Sequence, residues 1–223
     1  YGAMLAAING ARASIRLETY ILAGDETGWR FGNALVEKVR QGVAVRVIVD
    51  AAGAMFWGSG PLVRFMRENG VRVQLFHRWV WRRPLRYNRR DHRKILVIDD
   101  KDFFVGGYNI HRENSRETVG PRRWRDTHVR VGGTLAVEGG MLFDVFWERR
   151  PHWVARRGPV VSALVPNHNH VCRNTMRHLY TDCFDGARRS IFLTTPYFVP
   201  DRRIQHGLEA AARRGIDVRL LLP

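Results

Sequence analysis

The chain has 223 residues, 45% of them hydrophobic, so it is long enough to bury one large or two modest cores. Its 37 lysines and arginines exceed its 21 acidic residues, for a net charge of +16. This excess favours polyanionic partners: nucleic acid, an anionic membrane surface or a phosphate-bearing substrate. The two cysteines, Cys172 and Cys183, lie in a segment predicted to be helical, roughly 16 Å apart, so a disulfide between them is excluded.

The apolar pattern predicts helices and strands that alternate through the first two thirds of the chain. Strands such as VRVIV (45–49) and ILVI (95–98) are apolar on both faces, as a sheet covered by helices on both sides requires. The predicted elements, in chain order, are a helix ending near Ala11, a strand at Ser14–Leu22, a helix at Arg30–Gln41, a strand at Ala44–Asp50, a Gly-rich loop, a helix at Pro61–Asn69, a strand at Arg72–Phe76, a basic aromatic loop from His77 to Asp91, strands at Lys94–Ile98, Phe103–Val105 and near Thr127–Val131, and a helix at Leu135–Trp147.

A sequence repeat indicates an internal duplication. The segment Gly10–Thr19 returns at Gly186–Thr195 with seven of ten positions identical, and each copy is followed by a helix-like segment, a glycine and a strand. Generic αβ units show similar composition, but ordered agreement across two blocks favours duplication. We therefore predict a first half at 1–149, a connector at 150–171 and the start of a second half at 172–223, where Pro223 matches Asp50 and the second copy stops short.

The segment RRDHRKILVIDDKDFFVGGYNI (89–110) carries the strongest chemical signal. Alternation along a strand places His92 and Lys94 on one face, where an imidazole beside a fixed ammonium suits attack on a phosphate. Asp99 has the opposite parity and lies at the far end of the strand, so we expect an architectural role for it. The pattern H-x-K-x4-D-x6-G-G-x-N comprises His92, Lys94, Asp99, Gly106, Gly107 and Asn109.

This pattern resembles the HKD motif of the phospholipase D superfamily. With ETYIL (18–22) before it and WRDTHVRV (124–131) after it, the segment is most similar to the bacterial cardiolipin synthase branch, and TTPYFVPD (194–201) resembles the start of that branch's second half. The resemblance implies an α/β fold, a phospholipase D-like α/β/α sandwich in which a mixed sheet has helices on both faces, duplicated and with the second copy truncated.

The resemblance also implies a two-step transfer. One motif histidine attacks phosphorus to form a phosphohistidine, and a second motif histidine protonates the leaving alcohol. Carried over by position, His92 is one of the two histidines, Lys94 and Asn109 bind the phosphate, Asp99 completes the motif, and the backbone at Gly106 and Gly107 approaches the substrate. Asp126 matches the carboxylate that hydrogen-bonds the far nitrogen of the histidine and stabilises imidazolium. No metal or other cofactor is required by this chemistry.

Only one such motif is present, whereas the family pairs two. The second is expected either beyond Pro223 in the same chain or from a homodimer partner. The implied activity joins two phosphatidylglycerol molecules into cardiolipin and releases glycerol. The alternatives are another phospholipase D-type phosphodiesterase, acting on phospholipid or nucleic acid, or an inactive half that binds lipid or nucleic acid.

Two further segments bear on partners and location. The aromatic and arginine-rich stretch 76–90 suits an anionic membrane interface, and it also suits single-stranded nucleic acid. A zinc site at His168, His170 and Cys172 lacks a recognisable fourth ligand. No run is long enough to cross a bilayer and no signal peptide is visible, but the chain begins at Tyr1, which leaves upstream membrane helices open. We expect a bacterial inner-membrane protein whose catalytic domain lies in or faces the cytoplasm.

Overall fold

The protein is described from a computed structural model that covers residues 1–77, 90–148, 164–166 and 170–222. By its internal contacts the chain divides into two units, Tyr1–Ser162 and Ala163–Pro223. The first unit contains, in order, α1 (Gly2–Gly10), β1 (Ser14–Thr19), α2 (Glu26–Arg40), β2 (Ala44–Asp50), α3 (Ala51–Phe56), α4 (Gly60–Glu68), β3 (Arg72–Phe76), β4 (Ile95–Ile98), β5 (Asp102–Gly106), α5 (Arg116–Val119), β6 (His128–Val131) and α6 (Thr134–Trp147). The second contains α7 (His170–Gly186), β7 (Ser190–Thr194), α8 (Arg202–Arg213) and β8 (Asp217–Leu221).

The first unit is built on a mixed sheet of six strands in the order β3-β2-β1-β4-β5-β6. The strands β1, β2 and β3 are parallel, and β4 pairs antiparallel with both β1 and β5. Because β1 and β4 run in opposite directions, the carboxyl end of β1 lies beside the start of β4. The sequence that precedes β4, which contains the motif histidine, is therefore brought to the carboxyl ends of the parallel strands, where open α/β sheets bind their ligands.

Helices cover both faces of this sheet. On one face α1, α2 and α4 pack against inward side chains of the parallel strands, for example Leu17 and Val47, in the main hydrophobic core. On the other face, the alternate residues Arg16 and Arg46 reach α6 and form ion pairs with Asp144. The predicted α/β/α arrangement with a mixed sheet is confirmed, and the two-sided apolar strands are explained by it.

Two sequence predictions need correction, because the residues after β1 and β2 form more helix than their composition suggested. The expected Gly-rich loop after β2 is the short helix α3, whose first turn is capped by Asp50. Helix α2 begins at Glu26 rather than Arg30, because the Asp25 side chain accepts a hydrogen bond from the Gly28 amide. The basic aromatic loop lies mostly outside the described residues, as do most of the connector and His168.

The second unit repeats the beginning of the first. Its strands β7 and β8 are parallel and pair Ser190 with Asp217, as β1 and β2 pair Ser14 with Ala44. These pairs are equivalent positions of the two sequence copies, so the strand register agrees with the sequence repeat. Helix α7 contains the predicted cysteine segment, and the Cys183 thiol is free and exposed.

Candidate active site

The motif histidine and lysine lie in an irregular segment just before β4. The predicted strand from Lys94 is one residue too long, since β4 begins at Ile95. The His92 side chain is exposed, whereas Lys94 is only 4% exposed and its Nζ atom donates a 2.7 Å hydrogen bond to the His92 carbonyl oxygen. The ammonium group is therefore held beneath the histidine rather than free in solvent.

The strand-like alternation of this segment persists although it is not part of a strand. The His92 ring lies 5.0 Å from the Tyr20 ring, and Lys94 Nζ lies 5.6 Å from the same ring. The intervening Arg93 turns away: its Nη2 lies 2.6 Å from Glu18 Oε1, and its guanidinium lies 3.2 Å from the centre of the Phe146 ring of α6. As the sequence predicts, His92 and Lys94 therefore share one side.

A buried carboxylate at the end of β2 fixes the position of this segment. Asp50 Oδ2 accepts a 2.9 Å hydrogen bond from the Asp91 amide, and Oδ1 lies 3.1 Å from Arg90 Nη1. The same carboxylate accepts the Ala52 amide at 2.9 Å in the first turn of α3. One residue thus joins the parallel sheet, helix α3 and the backbone next to His92.

Asn109 is fixed by pairing with the segment that follows β1. Its Oδ1 atom accepts a hydrogen bond from the Ile21 amide at 3.1 Å, and the neighbouring Ile110 amide donates to the Ile21 carbonyl at 2.9 Å. Since one oxygen of the Asn109 amide is used in this way, the amide nitrogen remains as the group that can donate to a phosphate.

The two motif glycines make room for the chain's own backbone and for Asp126. A Cβ atom on Gly107 would lie 2.0 Å from Asp126 Oδ1, and one on Gly106 would lie 2.2 Å from the Thr127 carbonyl oxygen. Gly106 has φ +154, a conformation that side chains rarely adopt. We find this space filled by the Asp126 segment, so the expected close approach of a substrate to Gly106 and Gly107 stays a prediction.

Asp126 itself is exposed, and its Oδ1 atom accepts a 2.7 Å hydrogen bond from the Thr127 amide. Among the described contacts it has no hydrogen bond to His92, but burial lowers the pKa values of His92, Lys94 and His128, and the negative charge of Asp126 opposes that lowering. His128 lines the same small cavity as Lys94 and Tyr108, beneath the glycine pair. The carboxylate is thus electrostatically coupled to the motif without a direct contact in this state.

Burial determines the charge state of the motif side chains. The His92 side chain reaches solvent but is partly buried, and this partial burial lowers its pKa; the Lys94 ammonium lowers it further, against the opposing effect of Asp91, Asp50 and Asp126. Burial also lowers the pKa of Lys94 to about 8. At neutral pH the imidazole is therefore neutral, and so nucleophilic, while most of the lysine remains a cation, as attack on a phosphodiester requires.

Asp99 lies at the opposite end of β4, about 15 Å along the chain from Lys94. Its carboxylate accepts backbone hydrogen bonds from Arg12 at 2.8 Å, and from Ala13 and Ser14 at 2.8 and 2.7 Å, where α1 gives way to β1. These contacts lower its pKa, although partial burial opposes them. The carboxylate secures the sheet and does not lie beside His92.

A family model described as "Cardiolipin synthase, PLD-like domain" matches residues 4–119 of the chain. The chain belongs to this family. It is similar to a probable cardiolipin synthase of Bacillus subtilis, 33% identical over 97% of this chain and 45% of that protein, and to cardiolipin synthase A of Pseudomonas syringae, 31% identical over 100% of this chain and 48% of that protein. The chain spans about half the length of these curated relatives.

Solved structures show the same fold at lower sequence identity. A phosphatidylserine synthase of Haemophilus influenzae matches 99% of this chain and 58% of its own with a TM-score of 0.66 and 14% identity. Nuc of Salmonella typhimurium, a phospholipase D family member, matches 66% of this chain and 86% of its own with a TM-score of 0.52 and 19% identity. The phospholipase D-like fold is therefore shown by structure as well as by sequence.

Several residues around the motif of this PLD-like domain were missed by the sequence reasoning. Asp50 and Glu18 are fully buried, and Tyr20 contacts both His92 and Lys94. Burial and the Asp91 carboxylate raise the pKa of Glu18 well above its usual range, while Arg93 lowers it. The sequence pattern that points to Asp50 and Glu18 is an acidic residue inside or at the end of an otherwise apolar strand. Such a residue must have a buried partner.

His111, two residues after Asn109, is a further polar side chain near the motif. It is fully buried, and its ring lies 4.8 Å from that of Trp57 and 5.2 Å from that of Trp124. Burial lowers its pKa. Within the part of the chain that the structure describes, no group of three or more His, Cys, Asp or Glu residues could hold a metal ion; the side chains of His168, His170 and Cys172 lie outside that part.

Proposed function

We propose that the complete protein is a phosphatidyltransferase of the cardiolipin synthase type, which joins two phosphatidylglycerol molecules and releases glycerol. The observation that carries the proposal is the placement of His92 and the buried Lys94 on one side of the segment, against the Tyr20 ring. The lowered pKa of His92, which burial causes and Asp126 opposes, keeps its imidazole neutral and supports the proposal. Membership of the PLD-like family and the similarity to cardiolipin synthases over the whole chain support it.

In the proposed first step, an imidazole nitrogen attacks phosphorus, the bond from phosphorus to the glycerol oxygen breaks, and a second motif histidine gives its proton to that oxygen. In the second step, the hydroxyl of another phosphatidylglycerol attacks the phosphohistidine and returns a proton to the second histidine. His92 takes one of these two roles. Lys94 and the Asn109 amide stabilise the charge on the non-bridging oxygens, and Asp126 stabilises the imidazolium.

The second histidine is proposed to come from a second motif in the same chain or from a second copy of the protein. We further propose that the protein acts at the inner membrane of a bacterium, peripherally or through segments outside this sequence, with the catalytic domain in or facing the cytoplasm. Among the described residues, no helix is long and apolar enough to cross a bilayer. The substrate headgroups and the cytoplasmic leaflet share anionic chemistry, which matches the net charge of +16.

The test is product analysis with the complete protein and vesicles of phosphatidylglycerol. Cardiolipin and glycerol should appear in equal amounts, and acid-labile, base-stable phosphohistidine should be trapped on rapid quenching. Phosphatidic acid as the sole lipid product, or cleavage of DNA without lipid transfer, would contradict the synthase proposal and favour another phospholipase D-type activity.

The variant His92→Ala tests the catalytic assignment of His92. The control is His206→Ala, on the exposed surface of α8. Loss of either a nucleophile or a general acid lowers the rate by at least roughly 100-fold. His206→Ala should retain full activity. If His92→Ala retains it as well, the assignment of His92 is wrong.

A further inference from the structure

Large apolar side chains are exposed on two segments beside the candidate active site. Met55 and Phe56, at the end of α3, are 64% and 73% exposed, and Trp124 is 55% exposed. Exposed groups of this size next to a site indicate a binding surface when they cluster. Both segments are connected to the site, because Asp50, which caps α3, accepts the Asp91 amide beside His92, and because Asp126 follows Trp124 by two residues.

Two consecutive ring contacts, one tilted and one edge-on, join these two segments. Trp57 follows Phe56 and lies 4.8 Å from the His111 ring, which in turn lies 5.2 Å from the Trp124 ring. The two indoles are therefore within about 10 Å of each other, with a buried histidine between them. The end of α3 and the Trp124 segment thus form one continuous rim.

Arginines accompany the apolar side chains on this rim. Arg125 follows Trp124 directly and Arg122 precedes it by two residues, and both are exposed. Neither has an ion pair or a hydrogen bond from its side chain to any residue in the described part of the chain. Exposed guanidinium groups without carboxylate partners are available to an external anion.

We propose that Met55, Phe56, Trp124, Arg122 and Arg125 form a docking surface for an anionic phospholipid bilayer, which presents headgroups to His92 and Lys94. The orientation of the substrate rests on the proposed function, but the docking itself does not require catalysis. The apolar tips enter the boundary between headgroups and acyl chains, and the arginines bind lipid phosphates.

The composition of the rim favours a bilayer over the other polyanions considered. Single-stranded nucleic acid is bound by aromatic stacking platforms and cations, and Met55, which has no ring, would not contribute to stacking. Tryptophan beside arginine at the water boundary, with unbranched and aromatic apolar tips projecting beyond, is the composition of interfacial membrane binding. Nucleic acid binding is therefore an outcome of the test that would contradict the proposal.

The direct test measures insertion at single positions of the complete protein. Met55→Cys is labelled with an environment-sensitive fluorophore in a cysteine-free background and mixed with vesicles of phosphatidylglycerol or of phosphatidylcholine. Met141→Cys is the matched control, because Met141 is 57% exposed and follows Gly140, which packs against Asp100 at the opposite end of β4.

We expect the label at 55 to shift to the blue with phosphatidylglycerol vesicles and to be quenched by lipids that carry a quencher in the acyl chain, while the label at 141 does not respond. Equal responses at both positions, or none at 55, would overturn the proposal. A response at 55 to a single-stranded oligonucleotide that equals the response to vesicles would overturn it as well.

A second experiment separates docking from catalysis. The double variant Met55→Ser, Phe56→Ser should need at least about tenfold more phosphatidylglycerol vesicles for half-maximal activity. Its activity on a short-chain phosphatidylglycerol below the concentration at which micelles form should be unchanged. Equal losses on both substrates would overturn the docking role. Insertion at 55 without any cardiolipin product would contradict the proposed function and leave the docking surface in place.

Discussion

At the scale of single residues, the site contains a lysine, Lys94, in a buried environment that disfavours its charged form. Lys94 is among the few buried ionisable groups of the described chain, and burial lowers its pKa to about 8. Its ammonium is partly compensated by the His92 carbonyl at 2.7 Å and by the fields of Asp91 and Asp126. Without a bound phosphate, the buried lysine therefore lowers the free energy of unfolding. A bound phosphate would offset this loss by pairing with the ammonium.

Replacing Lys94 with methionine should therefore stabilise the protein and abolish the proposed transferase activity. We expect the free energy of unfolding at pH 7 to rise by about 1–3 kcal/mol, because a neutral side chain of similar length has no charge to desolvate. Between pH 8 and 10.5, the unfolded wild-type chain binds a proton that the folded one has lost. The stability of the wild type therefore rises through that window, and the advantage of the variant should fade.

Urea unfolding of both proteins at several pH values measures this difference. Lys101→Met, on the exposed turn after β4, is the control for losing one positive charge at the surface. A variant that is less stable than the wild type at pH 7, or an advantage that grows with pH, would show that the burial of the Lys94 charge is not costly.

The Gly107 position gives a second test at this scale. Gly107→Ala places a methyl group 2.0 Å from the Asp126 carboxylate, which must move away. We expect activity to fall by roughly 10–100-fold, because the displaced carboxylate stabilises the imidazolium less well. Activity should also change more steeply with pH in the range where the histidine titrates. Gly60→Ala, where a Cβ atom meets nothing within 4 Å, should be fully active; cardiolipin formation measures both.

At the scale of elements, α3 is the part that positions the motif. Its amino terminus shares the Asp50 carboxylate with the Asp91 amide, and a Cβ atom at Gly53 would lie 1.8 Å from the Tyr20 carbonyl oxygen. Helix α3 thus fixes both the backbone before His92 and the residue whose ring lies against it. Two contacts made at a distance from the reacting atoms therefore set the direction of the imidazole.

Asp50→Ala should disturb the site more than the loss of a helix cap alone would. Removing a buried carboxylate that accepts from three backbone amides and pairs with an arginine costs roughly 3–5 kcal/mol, and the turnover number should fall with it while the apparent KM changes little. The control Asp201→Ala removes the cap of α8, with amides at 3.0 and 3.1 Å, and should cost about 1 kcal/mol with normal turnover. Equal effects of both changes would reduce Asp50 to an ordinary cap.

The elements themselves were largely predictable from the sequence, while their contacts across the fold were not. The strand at Arg72–Phe76 was predicted to the residue, because apolar alternation and the flanking Gly70 define it locally. The helix α3 was missed, since AAGAMF (51–56) has too few polar residues to show a helical period and its cap is the last residue of a strand. Likewise, strand alternation predicted that His92 and Lys94 lie on the same side. The roles of Asp50 and Glu18 could not be predicted, because they depend on neighbours that are distant in sequence.

At the scale of the whole molecule, the two units repeat one pattern in different surroundings. Gly42 and Gly215 end α2 and α8 with φ of 85 and 84, and both precede a strand in the same parallel register. The strands β1 and β2 are nevertheless buried on both faces, whereas Phe192 of β7 and Leu221 of β8 are mostly exposed. A sheet with this apolar pattern is stable when covered, so we expect further protein to cover it.

That expectation and the single motif lead to one prediction about activity. The 223-residue chain alone should fold its first unit but show the proposed synthase activity at least roughly 100-fold more weakly than a protein with both motifs, because it contains only one motif histidine to serve as nucleophile or general acid. Far-UV circular dichroism checks the folding, and glycerol release checks the rate. If a second copy of the chain supplies the missing histidine, the specific activity of this chain should rise with its concentration, and mixing it with the His92→Ala variant should lower activity. Full activity that is independent of concentration would show that one motif suffices.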